Sequence, residues 1–559
     1  MPVRRAGLEE SQTMSDSYDY IIVGAGASGC VMAYRLSADP SVRVLLLESG
    51  PRNSHPFIHM PKAIGKALSR PGLVWPYLTE ANDQNNHTPE FWARGNTLGG
   101  STSVNGMMYV RGQPADYDEV ARTAGPEWNW QAMGRAFRAI ENHELGADET
   151  RGDNGPLHVS MPDMRNSLTD AMIEAGAALG LKRKADTNEP DNEQGIGYAP
   201  RTVFRGKRES AATAFLDPAR RRSNLVVESG VTVDRLLLEG RRATGVTGSR
   251  GGRPVTFRAT REVLLAAGAL ASPAILQRSG VGPAEVLAAA GVELVADRPG
   301  VGANLREHRA MVMQWRVRDS LSFNAGHAGL RLLGNIARYY LGRGGLLAAA
   351  TYEIGAWFNT RAGLDRPDGQ FLLAPYSFDY DKGALTTESF GGMQICAYYL
   401  RPRSTGSVTI RSSDPATLPR IVPNYHSDPE DRAAMIAVAR FARDFVRQAP
   451  LADKVFEETR PGSAFESDDE IIAAYDRFGN GAYHASGTCR MGLDEDAVVD
   501  DRLRVRGIDG VRVIDTSILP FLVAGNTAGP AMAMSWRAAD LILADANLPV
   551  AGGSSALAS

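Results

Sequence analysis

Tyr18-Asp-Tyr-Ile-Ile-Val-Gly-Ala-Gly-Ala-Ser-Gly29, followed by Val42-Arg-Val-Leu-Leu-Leu-Glu48, is the stretch on which the fold turns. Tyr18 to Val23 reads as a buried strand, Cys30 to Leu36 as a helix, and Val42 to Leu47 as a second buried strand ending at Glu48. Gly24-Ala25-Gly26-Ala27-Ser28-Gly29 between them matches G-x-G-x-x-G. Gly24 permits a tight turn, Gly26 lets backbone approach a pyrophosphate, and Gly29 lets helix pack on strand. The helix start offers free N–H groups and partial positive charge to phosphates. Glu48 follows Gly29 by 19 residues and is placed to accept from ribose hydroxyls. The pattern predicts an α/β fold with a Rossmann-like dinucleotide domain. An acid there disfavours a 2′-phosphate, hence NADP, and leaves NAD and FAD open.

The rest of the chain bounds the function. It has 559 residues, of which 43% are hydrophobic and 22% charged, enough apolar material for a large core. The net charge of -3 provides no field for nucleic acid, and Arg220-Arg221-Arg222 reads as a solvated run. Three cysteines, Cys30, Cys396 and Cys489, make no disulfide framework and fit a reducing cytoplasm. No run of 18 apolar residues exists, so no transmembrane segment is expected. Met1 to Ser17 has no apolar core and does not read as a signal or transit peptide. Met1 to Thr13 reads as a disordered extension or an over-extended start before Met14. Glycine stands out at 58 residues, about one in ten against a usual ~7%.

Two further glycine blocks follow. Arg94-Gly-Asn-Thr-Leu98-Gly99-Gly100-Ser-Thr-Ser103-Val104-Asn105-Gly106 is dense in small donors that can wrap an anionic cofactor, although a flexible loop would look similar. Gly268-Ala-Leu-Ala-Ser272-Pro273 follows an apolar strand, Val263 to Ala267, with Ser272 as a candidate helix cap and a stop at Gly280-Val-Gly-Pro283.

Taken together, these blocks resemble the glucose–methanol–choline (GMC) oxidoreductases. Further matches are Trp75-Pro-Tyr-Leu-Thr-Glu80, Asp297 to Gly302, Pro423-Asn-Tyr425 and Asp515-Thr-Ser-Ile-Leu-Pro520, so the resemblance runs from about Tyr18 to Ala544. It implies FAD rather than NAD. It assigns Gly24, Ala25, Gly26, Ala27, Ser28 and Gly29 to the pyrophosphate turn, Glu48 to the adenosine ribose and Val231 to adenine. Trp75, Arg94, Leu98, Gly99, Gly100, Ser103, Ala267 and Asn526 would also bind the cofactor. Asn105, Gly106, Met107 and Met108 would lie beneath the isoalloxazine, and Asp515 near the ribityl–pyrophosphate region. Some relatives link the flavin through a His in the first signature block; Val104 stands there, so the resemblance implies non-covalent FAD.

The same resemblance gives two catalytic positions. His484, in Ala482-Tyr-His-Ala-Ser-Gly-Thr-Cys-Arg-Met-Gly492, would face flavin N5, and Asn526 is the second, 42 residues later. Neutral imidazole can take the hydroxyl proton near working pH. An amide can donate to the developing alkoxide. His308, after Arg306-Glu307 where relatives more often have Gln-Asp, reads as structural. His55 and His59, four apart with Pro56 between, read as loop residues and not metal ligands. Cys489 reads as packing.

Discontinuous domains follow: 18–152, 201–309 and 481–546 for FAD; 153–200 and 310–480 for an inserted cap of antiparallel sheet and helices; 1–17 and 547–559 as loose ends. Seven aromatics between 371 and 399, where about two are expected, suit buried strands and apolar pocket walls. Tyr398, Tyr399 and Tyr483 are candidate substrate contacts. Arg331 to Gly344 reads as an amphipathic helix and glycine turn that packs or forms an entrance element. The expected reaction is oxidation of a primary apolar or aromatic alcohol, with a quinone-type acceptor or O2, by a monomer or homodimer. Rival readings are a hydroxynitrile lyase or light-driven fatty-acid decarboxylase on the same scaffold, and an NAD-dependent dehydrogenase.

Overall fold

β1 (Ser17–Val23) and β2 (Val44–Glu48) lie side by side, parallel and buried, in a seven-stranded sheet. The computed structural model describes residues 17–342, 344–382 and 386–547. The expected loose ends lie outside these apart from Ser17 and Asn547. Ile21-Ile22 and Leu45-Leu46 are fully buried with no alternation, because both sheet faces are covered. The other strands are β3 (Leu225–Ser229), β4 (Val231–Glu239), β5 (Arg242–Arg250), β6 (Arg253–Leu265) and β7 (Val511–Val513). The order is β3-β2-β1-β6-β5-β4, with β7 also on β6. β3, β2, β1, β6 and β7 run parallel, whereas β4, β5 and β6 form an antiparallel meander. This is the Rossmann-like half of the expected α/β fold.

Between β1 and β2 runs α1 (Ala27–Leu36), which packs on α2 (Ala528–Asp545). α1 starts at Ala27, three residues before the sequence reading, so Ser28 and Gly29 belong to its first turn. Gly29 has to be glycine: a Cβ there would lie 1.8 Å from the Gly24 carbonyl oxygen.

An eight-stranded sheet forms the other layer. Its order is Val455–Arg460, Arg309–Val317, Gly392–Tyr399, Gly369–Ala374, Ile354–Phe358, Gly195–Tyr198 and Lys182–Arg183, with Asn480–Gly481 also on Arg309–Val317. Period-two alternation divides its faces. Met311, Met313, Trp315, Phe371, Leu373 and Ile395 join the core beneath the helices Ser167–Ala178, Pro429–Val446 and Asp468–Phe478. Ala310, Val312, Leu372, Cys396 and Tyr398 face a large cavity instead. The Arg331–Gly344 expectation becomes a helix over Gly329–Gly342. It packs through Leu332, Ile336 and Tyr339 and leaves Leu330, Leu333 and Leu341 exposed. No helix among the described residues is long and apolar enough to cross a membrane.

Candidate active site

His484 sits on a two-stranded ribbon with residues 306–310. Asn480 and Gly481 pair with Ala310 and Arg309, the Ala482 N–H donates to the His308 carbonyl, and Ser486 bridges Arg306. The pairing shifts between Gly481 and Ser486. Tyr483 absorbs the shift with φ +66, a left-handed conformation uncommon for a non-glycine residue. The bulge brings His484 beside His308. Glu90 anchors the ribbon by accepting from the Gly481 N–H at 3.2 Å, the Trp92 indole at 3.1 Å and the Tyr425 hydroxyl at 3.1 Å, and it pairs with Arg309.

The two imidazoles form a defined chain. His308 Nε2 lies 3.0 Å from the Leu400 carbonyl oxygen, which can only accept. Burial lowers the His308 pKa to about 4, so the ring is neutral and Nε2 carries its one proton. His308 Nδ1 is then an acceptor, 2.9 Å from His484 Nδ1, which must donate. Burial, with further contributions from His308 and Arg94, holds His484 well below the usual range, so it too is neutral. Its Nε2 therefore carries a lone pair, which accepts from Asn526 Nδ2 at 3.1 Å. Asn526 Oδ1 is buried without a partner. Asn526 itself is held between Gly525 and the start of α2. A Cβ on Gly525, at φ +124, would meet Val110 at 2.6 Å.

Glu307 supports the pair from behind. Its Oε1 accepts the His484 N–H at 2.7 Å and the His308 N–H at 3.0 Å. Its Oε2 lies 3.5 Å from Arg94. Burial raises its pKa to about 7, with Arg94 pulling the other way.

A cavity of about 600 Å³ joins this centre to the glycine turn of β1. Gly24, Gly26, Ala27, Ser28, Glu48, Trp75, Arg94, Gly100, Asn105, Gly106, Met107, Met108, Val231, Ala267, Asp515, Tyr483, His484, Asn526 and Tyr398 line it. At its far end Glu48 Oε2 accepts the Ala25 N–H at 2.8 Å and Oε1 accepts the Gly50 N–H at 2.9 Å. Asp515 accepts from the Gly268 N–H at 2.8 Å, the Ser272 hydroxyl at 2.6 Å and the Ser517 N–H at 2.8 Å.

Family models described as GMC oxidoreductase match residues 18–310 and 402–535. The chain belongs to the GMC oxidoreductase family. It is 38% identical to an oxygen-dependent choline dehydrogenase from Rhizobium etli, over 94% of this chain and 95% of that enzyme. It is 37% identical to an alcohol dehydrogenase [acceptor] from Pseudomonas putida, over 94% of this chain and 96% of that one. A pyridoxine 4-oxidase from Mesorbium loti superposes with a TM-score of 0.84 at 32% identity, covering 94% of this chain and 99% of the other.

GMC oxidoreductases use FAD, and this member's cavity suits it. A Cβ on Gly26 would meet only one atom, 4.0 Å away, so its backbone is open to a pyrophosphate lying in the cavity. Among the described residues Glu48 Oε2 accepts only the Ala25 N–H, whereas Oε1 also lies 3.3 Å from the Ser49 hydroxyl. Ala25, Gly29, Leu98, Gly99 and Ser103, expected to bind the cofactor, do not line the cavity. The Gly99 N–H donates to the Ala25 carbonyl at 2.7 Å, the Ser103 hydroxyl to the Leu98 carbonyl at 2.7 Å, and Leu98 is core. The Gly99–Ala25 bond ties the two glycine blocks together, and the Ser103–Leu98 bond braces the second from within.

Several readings change. Tyr399 points to the helix side of its strand, opposite to Tyr398, and does not line the cavity. Ser272 is not the helix cap: the helix begins at Ala271, and Ser272 binds Asp515 while accepting the Ala267 N–H at 3.2 Å. His308, read as structural, bonds His484 directly and fixes its tautomer. His55 caps a one-turn helix, Pro56–His59, where a loop was expected; no metal-binding cluster occurs among the described residues. Arg208 and Glu307 were missed. Arg208 donates at 2.7 Å to both the backbone carbonyl and the side chain of Asn105, which only the folded chain reveals.

Proposed function

We propose that this chain oxidises a primary, apolar or aromatic alcohol to the aldehyde, with His484 as the base and Asn526 as the group that orients the alcohol oxygen. The observation that carries the reading is the lone pair on His484 Nε2, held toward Asn526 by the proton chain through His308 and Leu400. Bound FAD supplies the two-electron acceptor. His484 Nε2 takes the hydroxyl proton, and the imidazolium it becomes is stabilised as its Nδ1–H donates to His308. The Asn526 amide donates to the alcohol oxygen as negative charge gathers there. Ala310, Val312, Leu372 and Tyr398 give the adjoining wall its apolar character and exclude water.

Binding of FAD without a covalent link is part of the proposal: Val104 lines the cavity and offers no nucleophile. The division into FAD-binding segments 18–152, 201–309 and 481–546 and cap segments 153–200 and 310–480 is supported by the two sheets and their separate cores. We favour a quinone-type acceptor over O2, because Ala482 stands where oxidase relatives often carry a larger aliphatic. Three unpaired, buried cysteines suit a cytoplasmic location. The names of the similar proteins, a choline dehydrogenase, an alcohol dehydrogenase and a pyridoxine oxidase, all denote alcohol substrates. An anaerobic panel of alcohols, read as flavin bleaching, tests the reading. Bleaching by benzylic and medium-chain primary alcohols is expected, and none by any alcohol would refute it.

A further inference from the structure

Arg460 ends the strand Val455–Arg460 and lines the same cavity as His484. Its guanidinium lies over the rings of Tyr380, at 4.2 Å, and Phe478, at 4.8 Å. Nη2 donates to the Phe478 carbonyl at 3.1 Å, whereas Nε is buried and has no partner. Among the described residues no carboxylate forms an ion pair with it. Asp381 is the one that acts on it, from longer range. Burial lowers its pKa from the usual guanidinium value, as befits an under-compensated charge.

Arg460 therefore brings to the cavity wall a positive charge that no carboxylate among the described residues pairs with. The acids that line the cavity are Glu48 and Asp515, both already hydrogen-bonded around the glycine turns. Arg94 has Glu307 behind it; Arg460 has no such partner. Arg460 pairs with Gln314, and Asn480 pairs with Ala310 on the same strand. Four residues separate those positions, about 13 Å along the strand. The Arg460 backbone thus lies four strand positions from the Asn480 pair, and its guanidinium, set against Tyr380 and Phe478, lines the cavity it shares with His484.

We propose that Arg460 binds the carboxylate of a hydroxy-carboxylate substrate, an ω-hydroxy acid or a (hydroxymethyl)arene carboxylate, whose alcohol reaches His484. This rests on the alcohol-oxidising reading of His484 and Asn526. A planar guanidinium offers a carboxylate two parallel donors, and burial strengthens the pair. The same charge rejects a quaternary ammonium, so the substrate differs in sign from the one in the choline dehydrogenase's name.

The test uses the FAD-loaded enzyme and two probes without a hydroxyl, 4-methylbenzoate and its neutral amide, with binding read as a change in flavin absorbance. The acid is expected to bind about 10- to 100-fold more tightly than the amide. Arg460→Met should abolish that preference. Arg460→Lys, which keeps the charge without the fork, should retain part of it. 4-(Hydroxymethyl)benzoate should bleach the flavin and choline should not. Equal binding of acid and amide by the wild type, or a preference that survives in a folded Arg460→Met, would overturn the proposal. If the acid binds through Arg460 but no alcohol bleaches the flavin, the Arg460 site stands and the oxidation chemistry fails.

Discussion

The Nδ1 atoms of His308 and His484 lie 2.9 Å apart, and the Leu400 carbonyl decides which of them carries a proton. Because that carbonyl only accepts, each proton is fixed in turn along the chain, and His484 Nε2 is left as a lone pair facing Asn526. The relationship makes His308 a positioning residue.

His308→Leu removes the acceptor for His484 Nδ1–H and leaves a buried donor unpaired. The rate of anaerobic flavin reduction should fall about 100-fold, with the flavin-to-protein ratio unchanged. His308→Gln, whose amide oxygen can accept, should recover part of the loss. A purely structural role would instead show as lost flavin or lowered thermal stability in both variants.

Glu307 accepts two backbone N–H groups through one oxygen. Glu307→Gln keeps that acceptor and should lie within about 1 kcal/mol of wild type by denaturant unfolding. Glu307→Ala orphans both donors and should cost about 2–5 kcal/mol. Equal effects of the two would contradict the assignment.

The buried histidines contribute to the pH dependence of stability with a definite sign. His308 and His327 are lowered to about 4 by burial, and His484 is lowered well below the usual value. Below about pH 6.5 these side chains bind protons in the unfolded chain that the folded chain refuses, so their contribution is full above that pH and is lost as pH falls toward 4. Glu307, raised to about 7 by burial, works in the opposite sense over the same range, so the histidine part is read by difference, from thermal unfolding of wild type and variant between pH 7.5 and 4.5. His327→Phe, away from the catalytic pair, should shallow the slope.

Two glycines of the first turn should separate folding from cofactor binding. A Cβ on Gly26 points into open cavity, whereas one on Gly29 would lie 1.8 Å from the Gly24 oxygen. Gly26→Val should fold with native circular dichroism yet purify with little flavin. Gly29→Val should be destabilised whether or not FAD is supplied.

Much of this was legible in the sequence because local rules suffice there. The Gly24 to Gly29 turn, the buried runs of β1 and β2, and Glu48 at a strand end each follow from spacing, and the positions of His484 and Asn526 come from the family resemblance. What escaped reading depends on long-range pairing. Glu307 and His308 meet His484 across 176 or 177 residues, through a bulge at Tyr483 that no local pattern announces. Tyr399 was misassigned because adjacent aromatics in a strand point to opposite faces, and the register decides which one meets the cavity. Ser272 looked like a helix cap locally, but Asp515, 243 residues away, claims its hydroxyl.

The central claim is that His484 takes the alcohol proton, and stopped-flow flavin reduction in FAD-loaded His484→Ala tests it most directly. With a benzylic alcohol under anaerobic conditions, reduction should slow by about 100-fold or more while the flavin content stays native. Reduction at the wild-type rate would remove His484 from the chemistry.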